Sequence, residues 1–268
     1  MMEDGTIYRE RQIVSTEDAM RIKEEGENSV VFKAEDIKMV NPEPWKIGEG
    51  YRWKGYARFG VELERGNTDT DDWVFAASSE WRSLTDRYTL EGDVENETKN
   101  GLQTENNWTL LTKYDRFFMG STDNYWGAKS VFESDEFADL NLRTTLGPYL
   151  GRLFYEKKYF TLQAEVGPVY VNEQFKEADT ENWSGLSWII KAESDRLGYG
   201  STLYLNHDGN QNLQESDNLI LNTQIGLSFP LVYGFETFFQ VEFEYDGGAV
   251  EGIQTLDTTY DWNIGYTW

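Results

Sequence analysis

The chain has 268 residues, of which 24 are lysine or arginine and 48 are aspartate or glutamate, giving a net charge of −24 at pH 7. A charge this negative repels phosphate backbones, which argues against sequence-independent binding to nucleic acid. The absence of cysteine excludes disulfides, thiolate metal sites and a cysteine nucleophile, and the single histidine excludes most histidine-based zinc sites and catalytic triads. Aromatic residues make up 15% of the chain, which is typical of a folded protein.

Residues 1–47 differ in composition from the rest and predict a short N-terminal extension. Residues 16–25 have a helix-like composition, residues 29–32 form a short apolar run, and the two prolines within residues 41–45 favour an extended linker. No run approaches about 18 apolar residues, so no transmembrane helix is expected. The first four residues also lack the basic start and apolar core of a signal peptide. Either the protein is cytoplasmic or the chain is a processed or recombinant form.

From Gly55 to the C-terminus, apolar and polar residues alternate with a period of two, which predicts strands. In the last segment, for example, Tyr260, Trp262 and Ile264 alternate with Asp261 and Asn263. The predicted strands number twelve and cover residues 55–65, 73–83, 86–97, 106–117, 124–133, 139–153, 159–172, 183–193, 199–207, 217–230, 235–246 and 257–268.

The connections between these strands alternate in length, which predicts an up-and-down meander with one short-loop end and one long-loop end. The short connections are predicted at residues 83–85, 156–158 and 231–234. The longer, polar connections are predicted at residues 66–72, 98–105, 173–182, 208–216 and 247–256.

The two faces of the predicted sheet differ, because bulky apolar side chains line one face and charges line the other. Twelve strands about 4.8 Å apart and tilted by about 40° close at a radius of roughly 12 Å, too wide for one layer of aliphatic side chains to fill. Long charged side chains and water fill such an interior, and the apolar set then faces lipid. The sequence therefore predicts an all-β, up-and-down antiparallel transmembrane β-barrel at residues 48–268, in which a closed ladder satisfies the backbone.

Two sets of residues follow from this orientation. The charged residues predicted to face the lumen are Arg58, Glu62, Glu64, Arg87, Glu91, Asp93, Lys113, Lys129, Arg143, Glu165, Lys191, Glu236, Glu242, Glu244 and Asp261. The residues predicted to face lipid, several of them in a girdle near the strand ends, are Trp73, Trp108, Trp126, Tyr170, Phe239, Tyr260, Trp262 and Trp268.

Two interpretations of the lumen charges remain open. In the first, the basic residues neutralise the acids in a packed ion-pair network that blocks the barrel. In the second, excess carboxylates line a water-filled path that favours cations over anions. The basic residues concerned are Arg58, Arg82, Arg87, Lys113, Lys129, Arg143 and Lys191.

Several short motifs, in this order, are characteristic of one family. Gly66-Asn67-Thr68 closes the first strand, Lys113-Tyr114-Asp115 lies in the fourth, Arg143-Thr144-Thr145-Leu146-Gly147-Pro148 in the sixth and Glu165-Val166-Gly167-Pro168-Val169-Tyr170 in the seventh, and the chain ends in an aromatic residue. Over roughly residues 50–268 the chain resembles the salt-induced outer-membrane protein family (YdiY-like), a domain of unknown function in Gram-negative bacteria. The resemblance implies an outer-membrane barrel, a removed signal peptide and a small strand-rich segment before the barrel. It implies no catalytic residues.

Three other motifs have plain explanations. His207-Asp208 lies near the end of the ninth predicted strand and is expected to be a polar pair at a loop edge, since no second histidine or serine completes an active site. Asp69-Thr70-Asp71-Asp72 is expected to be a solvated acidic turn, because it lacks the spacing of a dedicated calcium loop. Gly66-Asn67-Thr68 is a turn signal, because no helix follows it. No catalytic residue, metal site or cofactor is predicted.

We therefore expect a non-enzymatic barrel in the outer membrane of a Gram-negative bacterium, with residues 1–47 in the periplasm. The leading hypothesis is a narrow, weakly cation-selective passive pore. The alternatives are a structural barrel that binds another envelope component and a soluble all-β glycan-binding protein. The expected partners are outer-membrane lipid and the barrel assembly machinery, which would read the last strand and its terminal Trp268.

Overall fold

The computed structural model describes residues 13–15, 20–23, 29–32, 37, 39–64, 69–119, 121, 123–157, 159–249 and 254–268, and the side chains of residues 13–15, 20–23, 29–32 and 62–64 lie outside this description. The chain divides into two compact units, Met1–Arg52 and Trp53–Trp268.

In the first unit, strands β1 (Ile13–Ser15), β2 (Met20–Lys23) and β3 (Ser29–Phe32) form an antiparallel sheet in the order β1-β2-β3. Despite the helix-like composition of residues 16–25, residues 20–23 form a strand, and the other residues of that range lie outside the described part. The physical reason is that Met20 and Ile22 alternate with Arg21 and Lys23, a period of two that suits pairing with both neighbours.

The predicted extended linker turns at its second proline into a 3-10 helix, Pro44–Ile47. Proline is tolerated there because the first helical position needs no N–H donor. The helix ends at Gly48, whose φ of 85° is accessible to glycine without strain. Inside it, Trp45 is buried and its indole N–H donates to the Glu43 carboxylate over 3.0 Å, which lowers the pKa of Glu43.

The second unit confirms the predicted twelve-stranded, antiparallel, up-and-down barrel. Its strands follow one another around the ring in chain order, and β15 closes the ring by pairing with β4. The strands are β4 (Arg52–Glu64), β5 (Thr70–Arg82), β6 (Asp86–Lys99), β7 (Leu102–Phe117), β8 (Asn124–Asp135), β9 (Leu140–Lys157), β10 (Phe160–Phe175), β11 (Glu181–Ser194), β12 (Thr202–Asn212), β13 (Leu219–Pro230), β14 (Phe235–Asp246) and β15 (Leu256–Thr267).

The predicted difference in loop length between the two ends is wrong. We call the end at which β4 begins and β15 ends the terminal end, and the opposite end the far end. Connections at the terminal end run from two residues at 158–159 to seven at 195–201, and those at the far end run from two at 100–101 to nine at 247–255. The long loop predicted at 98–105 is instead a tight hairpin on Asn100-Gly101, whose φ angles of 50° and 78° are the positive values that such a turn requires.

Candidate functional site

The inside of the barrel is identified by side chains that meet across it. The Lys191 ammonium on β11 lies 2.8 Å from the Glu91 carboxylate on β6, although these strands are five positions apart around the ring. Both side chains therefore point into the lumen, and the alternation of a strand then assigns every second residue to the same face.

All of the predicted lumen charges whose side chains are described lie on this inward face. Glu62 and Glu64 belong to β4, but their side chains lie outside the described part. Arg58, Arg87, Lys113, Lys129, Arg143 and Glu165 are buried. The others are half-buried or, at Glu244, exposed toward the lumen: Glu91, Asp93, Lys191, Glu236, Glu242, Glu244 and Asp261.

The outer face of the barrel wall is apolar, and its side chains are exposed. Every residue predicted to face lipid is exposed there, from 37% at Trp108 and Trp268 to 78% at Tyr260. At the terminal end, Trp53 stacks on Trp81 with ring centroids 6.4 Å apart and meets Trp268 edge-on at 5.5 Å. Amphipathic rings grouped near the strand ends form the kind of girdle found at membrane interfaces.

The terminal half of the lumen is filled by eight inward side chains, which we call the terminal cluster. None of them is more than 7% exposed, so no water-filled channel passes between them. The cluster consists of Arg82, Arg87, Lys113, Asp115, Phe117, Tyr125, Tyr149 and Glu165.

Glu165 is the centre of this cluster. Both of its carboxylate oxygens accept hydrogen bonds from the Lys113 ammonium at 2.6 Å, and one accepts from the Tyr125 hydroxyl at 2.8 Å. The Arg87 guanidinium lies 3.6 Å away. A buried carboxylate needs such partners, because desolvation of an unpaired charge costs several kcal/mol.

Asp115 is the second anion of the cluster and is completely buried. It accepts a hydrogen bond from Arg87 Nε at 2.5 Å and another from the Tyr149 hydroxyl. Arg82 lies over the Phe117 ring, 3.1 Å from its centroid, so this cation also has an aromatic partner. Three basic groups and two carboxylates are thus held together by charge and by aromatic faces.

A smaller group fills the terminal half on the other side of the lumen. Arg58 on β4 donates to the Gln240 side-chain oxygen at 2.7 Å, and Gln240 donates to Asp261 at 2.8 Å. The Tyr204 hydroxyl also donates to Gln240, at 3.0 Å. Arg58 and Gln240 are buried, as is Phe238, whose ring lies 5.8 Å from the Arg58 guanidinium. The terminal half is therefore constricted from both sides.

Among the described side chains, two ion pairs join strands that lie five positions apart around the ring. Besides Glu91–Lys191, the Arg143 guanidinium on β9 lies 2.5 Å from Asp246 on β14. Lines that join β6 to β11 and β9 to β14 intersect in the ring order, so the two ion pairs lie at different heights. Arg143 also donates a hydrogen bond to Glu173 at 2.7 Å. The same carboxylate accepts a second hydrogen bond from the Trp183 indole N–H at 2.6 Å.

The far half of the lumen is acidic. Glu95, for example, interacts electrostatically with Glu105, Asp72 and Asp261. The basic groups that the described strands place near these acids are Arg58, which interacts with Asp93 and Glu242, and Arg143, which is already bound by Glu173 and Asp246. The carboxylates that face this space are Asp72, Asp93, Glu95, Glu105, Glu133, Glu242 and Glu244, and we call them the acidic vestibule. Asp261 interacts both with Glu95 of the vestibule and with Arg58 of the smaller group.

Two minor sequence interpretations need correction. His207 is not at a loop edge, because it lies in the middle of β12 on the outer face. Its Nε2 accepts from the Trp188 indole N–H at 3.0 Å and its Nδ1 lies 2.8 Å from the Thr223 hydroxyl, so neighbouring strands satisfy the imidazole. Asp69-Thr70-Asp71-Asp72 is not a free turn, since β5 begins at Thr70. Gly66-Asn67-Thr68 lies outside the described residues.

Neither a metal centre nor a helical span is found in what the structure describes. Its acidic and histidine side chains include no group of three or more arranged to hold a metal ion. Within the same residues, no helix has the length and the run of apolar residues that crossing a bilayer requires.

Part of the terminal cluster was not predicted from the sequence. Tyr125 and Tyr149 belong to the apolar residue types that were assigned to lipid, although their strand positions place them on the inward face. The sequence signal that identifies them is an even spacing along the strand, which places two residues on the same face. Tyr125 has this spacing from Lys129 on β8, and Tyr149 has it from Arg143 on β9. Inward glycines accompany them: a Cβ on Gly127 would lie 2.5 Å from the Tyr149 ring, and one on Gly151 would lie 2.3 Å from the Tyr125 ring.

The sequence of the barrel matches the model of a known family. The model of a family described as "Protein of unknown function, DUF481" matches residues 57–268, and the chain belongs to that family. The resemblance stated above is consistent with this domain of unknown function. No curated protein matches the chain.

The chain is similar to solved structures of a porin, a translocator domain and a channel. The NanC porin is 10% identical, with 80% of this chain and 98% of that chain covered and a TM-score of 0.48. The translocator domain of autotransporter NalP from Neisseria meningitidis is 11% identical, with 82% and 89% covered and a TM-score of 0.40. The CymD monoaromatic hydrocarbon channel is 10% identical, with 84% and 82% covered and a TM-score of 0.38.

Proposed function

We propose that the chain is an integral barrel of the outer membrane of a Gram-negative bacterium and that it forms a narrow, cation-preferring passive pore without enzymatic activity. The observation that carries the proposal is the polarity of the wall, which is apolar and aromatic outside and charged inside. A soluble barrel has the opposite polarity, because water surrounds it and its interior is dry. The exposed outer rings therefore disfavour the alternative of a soluble glycan-binding protein.

The membrane location is tested by placing a charge on the outer face. Ile225 lies outward near the middle of β13 and is 46% exposed. In a bilayer, Ile225→Arg should lower the free energy of unfolding by about 2–4 kcal/mol, the cost of arginine near the midplane. In a soluble barrel, the same exposed substitution would have little effect. The measurement is urea unfolding of the protein folded into lipid vesicles.

Leu213→Arg is the matched control, because Leu213 is 71% exposed in the loop after β12 and should tolerate arginine. A loss of stability at Leu213 as large as that at Ile225 would contradict the membrane location, as would an unchanged Ile225 variant.

The pore itself is proposed from the acidic vestibule. Its carboxylates outnumber the basic groups near them, so the lumen concentrates cations and repels anions. The terminal cluster and the two crossing ion pairs narrow the path, which limits the current. We further propose that the terminal end and residues 1–47 face the periplasm, and that the last strand, ending in Trp268, is read by the barrel assembly machinery.

The pore is tested by planar-bilayer recording under a salt gradient. The wild type should give small conductance steps with a reversal potential that indicates cation preference. In recordings at alkaline pH, Glu95→Gln combined with Glu244→Gln removes two vestibule charges and should shift the reversal potential toward zero. Glu177→Gln combined with Asp179→Asn removes two charges from an exposed far-end loop and should have a smaller effect. Anion preference, or the absence of conductance steps, would overturn the pore.

The second candidate function is a structural barrel that binds another envelope component. The filled terminal half of the lumen favours it, because such a protein does not have to conduct a solute. Under this alternative the membrane location stands, and the wild type gives no conductance steps.

A further inference from the structure

Charged side chains on the outer face of the barrel are confined to a few positions. Among the described strand residues that alternation and register place outward, the charged ones are Asp71, Asp86, Arg116, Arg152 and Lys157. Asp71 lies near the far end, at the beginning of β5, and the other four lie near the terminal end on β6, β7 and β9. The basic groups of the described outer face are therefore gathered in one sector at one end of the barrel.

A β-bulge brings Arg152 and Lys157 to the same face of β9. The ladder between β9 and β10 shifts by one position near the terminal end, where Phe154 is the extra residue. In a regular strand, two residues five positions apart would point to opposite faces. The same shift places Glu156 on the inward face, where it interacts electrostatically with Arg82. The acid of this segment therefore lies on the opposite face from its two cations.

Both cations of this segment lie against aromatic rings. The Arg152 guanidinium carbon is 5.5 Å from the centroid of the Phe154 ring, and the Lys157 Nζ is 5.7 Å from that of the Tyr155 ring. The Tyr155 ring packs against Phe160, with centroids 5.7 Å apart. A cation that lies on a ring face keeps N–H groups available for another acceptor. We call these five residues the basic patch.

The two cations of the basic patch are exposed, and neither forms an ion pair with a described carboxylate. Arg116 differs, because the Asp86 carboxylate binds it at 2.7 Å. At a membrane surface, a basic group without a counter-charge attracts anionic lipid, and one such group raises the affinity about fivefold. Charge complementarity therefore favours an anionic partner at the basic patch.

An apolar surface adjoins the basic patch on the side toward the middle of the wall. Leu150 is the outward residue before Arg152 on β9 and is 61% exposed, and its partner Val166 on β10 is 49% exposed. Positive charge and aromatic rings are thus followed by apolar surface, the order that the headgroup and acyl chain of a lipid beside the wall require. A soluble anion would contact the cations and leave the apolar surface uncovered.

We propose that the basic patch binds an anionic phospholipid. The phosphate accepts hydrogen bonds from the Arg152 guanidinium, Lys157 adds a second positive charge at the headgroup, and an acyl chain lies along Leu150 and Val166. The inference rests on the proposed membrane location, and it adds a class of lipid that the location itself does not require.

The proposal is tested by local fluorescence quenching in vesicles, for which the cysteine-free chain accepts a single label. Ala128→Cys carries a fluorophore on the outer face of β8, one strand away from Leu150. The quenchers are phosphatidylglycerol and phosphatidylcholine with identical nitroxide-labelled acyl chains, each at low fractions in phosphatidylcholine vesicles that contain the full chain. Phosphatidylglycerol should half-quench the label at about one-fifth of the fraction that labelled phosphatidylcholine needs.

The contribution of the two cations is tested on the same labelled chain. Arg152→Gln combined with Lys157→Gln should bring the two quenchers to nearly equal half-quenching fractions. The matched control, Lys99→Gln with Lys176→Gln, removes the same charge near the far end and should keep the preference. Each variant is checked for folding by its heat-modifiable gel mobility. A preference that persists without the two cations, or that is lost equally in the control, would overturn the basic patch as a lipid site.

A second label position and a soluble anion complete the test. A label at Leu227→Cys should be quenched equally by both lipids, because the outward side chains of β12, β13 and β14 include no lysine or arginine. The same preference at Leu227 as at Ala128 would overturn a local site. Loss of the preference in inorganic phosphate, but not in chloride of equal ionic strength, would assign the patch to a soluble anion and overturn the lipid. If neither lipid quenches either label, the membrane location itself fails, so the two failures are distinguishable.

Discussion

Glu165→Leu is expected to lower the free energy of unfolding by about 3–5 kcal/mol, because removing one partner of a buried ion pair leaves the other charge uncompensated. Here the charges left behind are Lys113, bonded to Glu165 at 2.6 Å, and Arg87, 3.6 Å away. The Tyr125 hydroxyl loses its acceptor as well. Urea unfolding in lipid vesicles, followed by tryptophan fluorescence, measures the change.

A double variant separates charge from packing. Lys113→Met combined with Glu165→Leu removes both charges at similar volume and should recover much of the lost stability. Arg116→Met is the control on the outer face, where the Arg116–Asp86 pair is exposed and contributes little. If Glu165→Leu unfolds as the wild type does, or if the double variant is no more stable than the single one, the terminal cluster is not a buried ion-pair network.

The barrel could be predicted because its signal is local. Alternation places Tyr260 and Trp262 on one face and Asp261 on the other whatever the rest of the chain does, and all twelve strands follow from it. Strand ends are less well determined, because pairing with a neighbour extends a strand past its last alternating residue. The Asn100-Gly101 hairpin is such a case: β6 and β7 run through the polar residues of a predicted loop.

The partners of each lumen charge could not be predicted, since alternation assigns a face but neither a height nor a partner across the ring. Nothing local relates Arg143 to Asp246, which is 103 residues away along the chain. The same limit of alternation explains the wrong position predicted for His207. Its place along the strand depends on where β12 begins and ends, which alternation does not determine. Tyr125 and Tyr149 of the terminal cluster were not predicted, because only charged residues were assigned to the lumen.

The structure supports each interpretation of the lumen charges in a different half of the barrel, and the cation path in the far half remains our proposal. Near the terminal end, Lys113 and Arg87 are paired and buried, as in a packed network. Near the far end, Glu95 and Glu244 have other carboxylates as electrostatic neighbours, as in a cation-attracting path. A count of charges in the sequence combines both halves of the lumen, so it favours neither the packed network nor the cation path.

Glu91→Ala combined with Lys191→Ala is expected to raise the single-channel conductance severalfold in planar bilayers. The pair crosses the lumen at 2.8 Å between strands five positions apart, so truncating both side chains removes material from the middle of the path. Removing both charges together leaves neither unpaired, which protects the fold.

Volume and charge are separated by a matched variant, Glu91→Gln with Lys191→Met, which neutralises the pair but keeps its bulk. Its conductance should stay close to that of the wild type, because the path is narrowed by atoms and not by the ion pair alone. Cation preference should persist in both double variants, since Glu95 and Glu244 of the acidic vestibule are unchanged. If the alanine variant conducts no better than the wild type, the constriction lies in the terminal cluster, and Glu91–Lys191 is a structural tie within an already closed lumen.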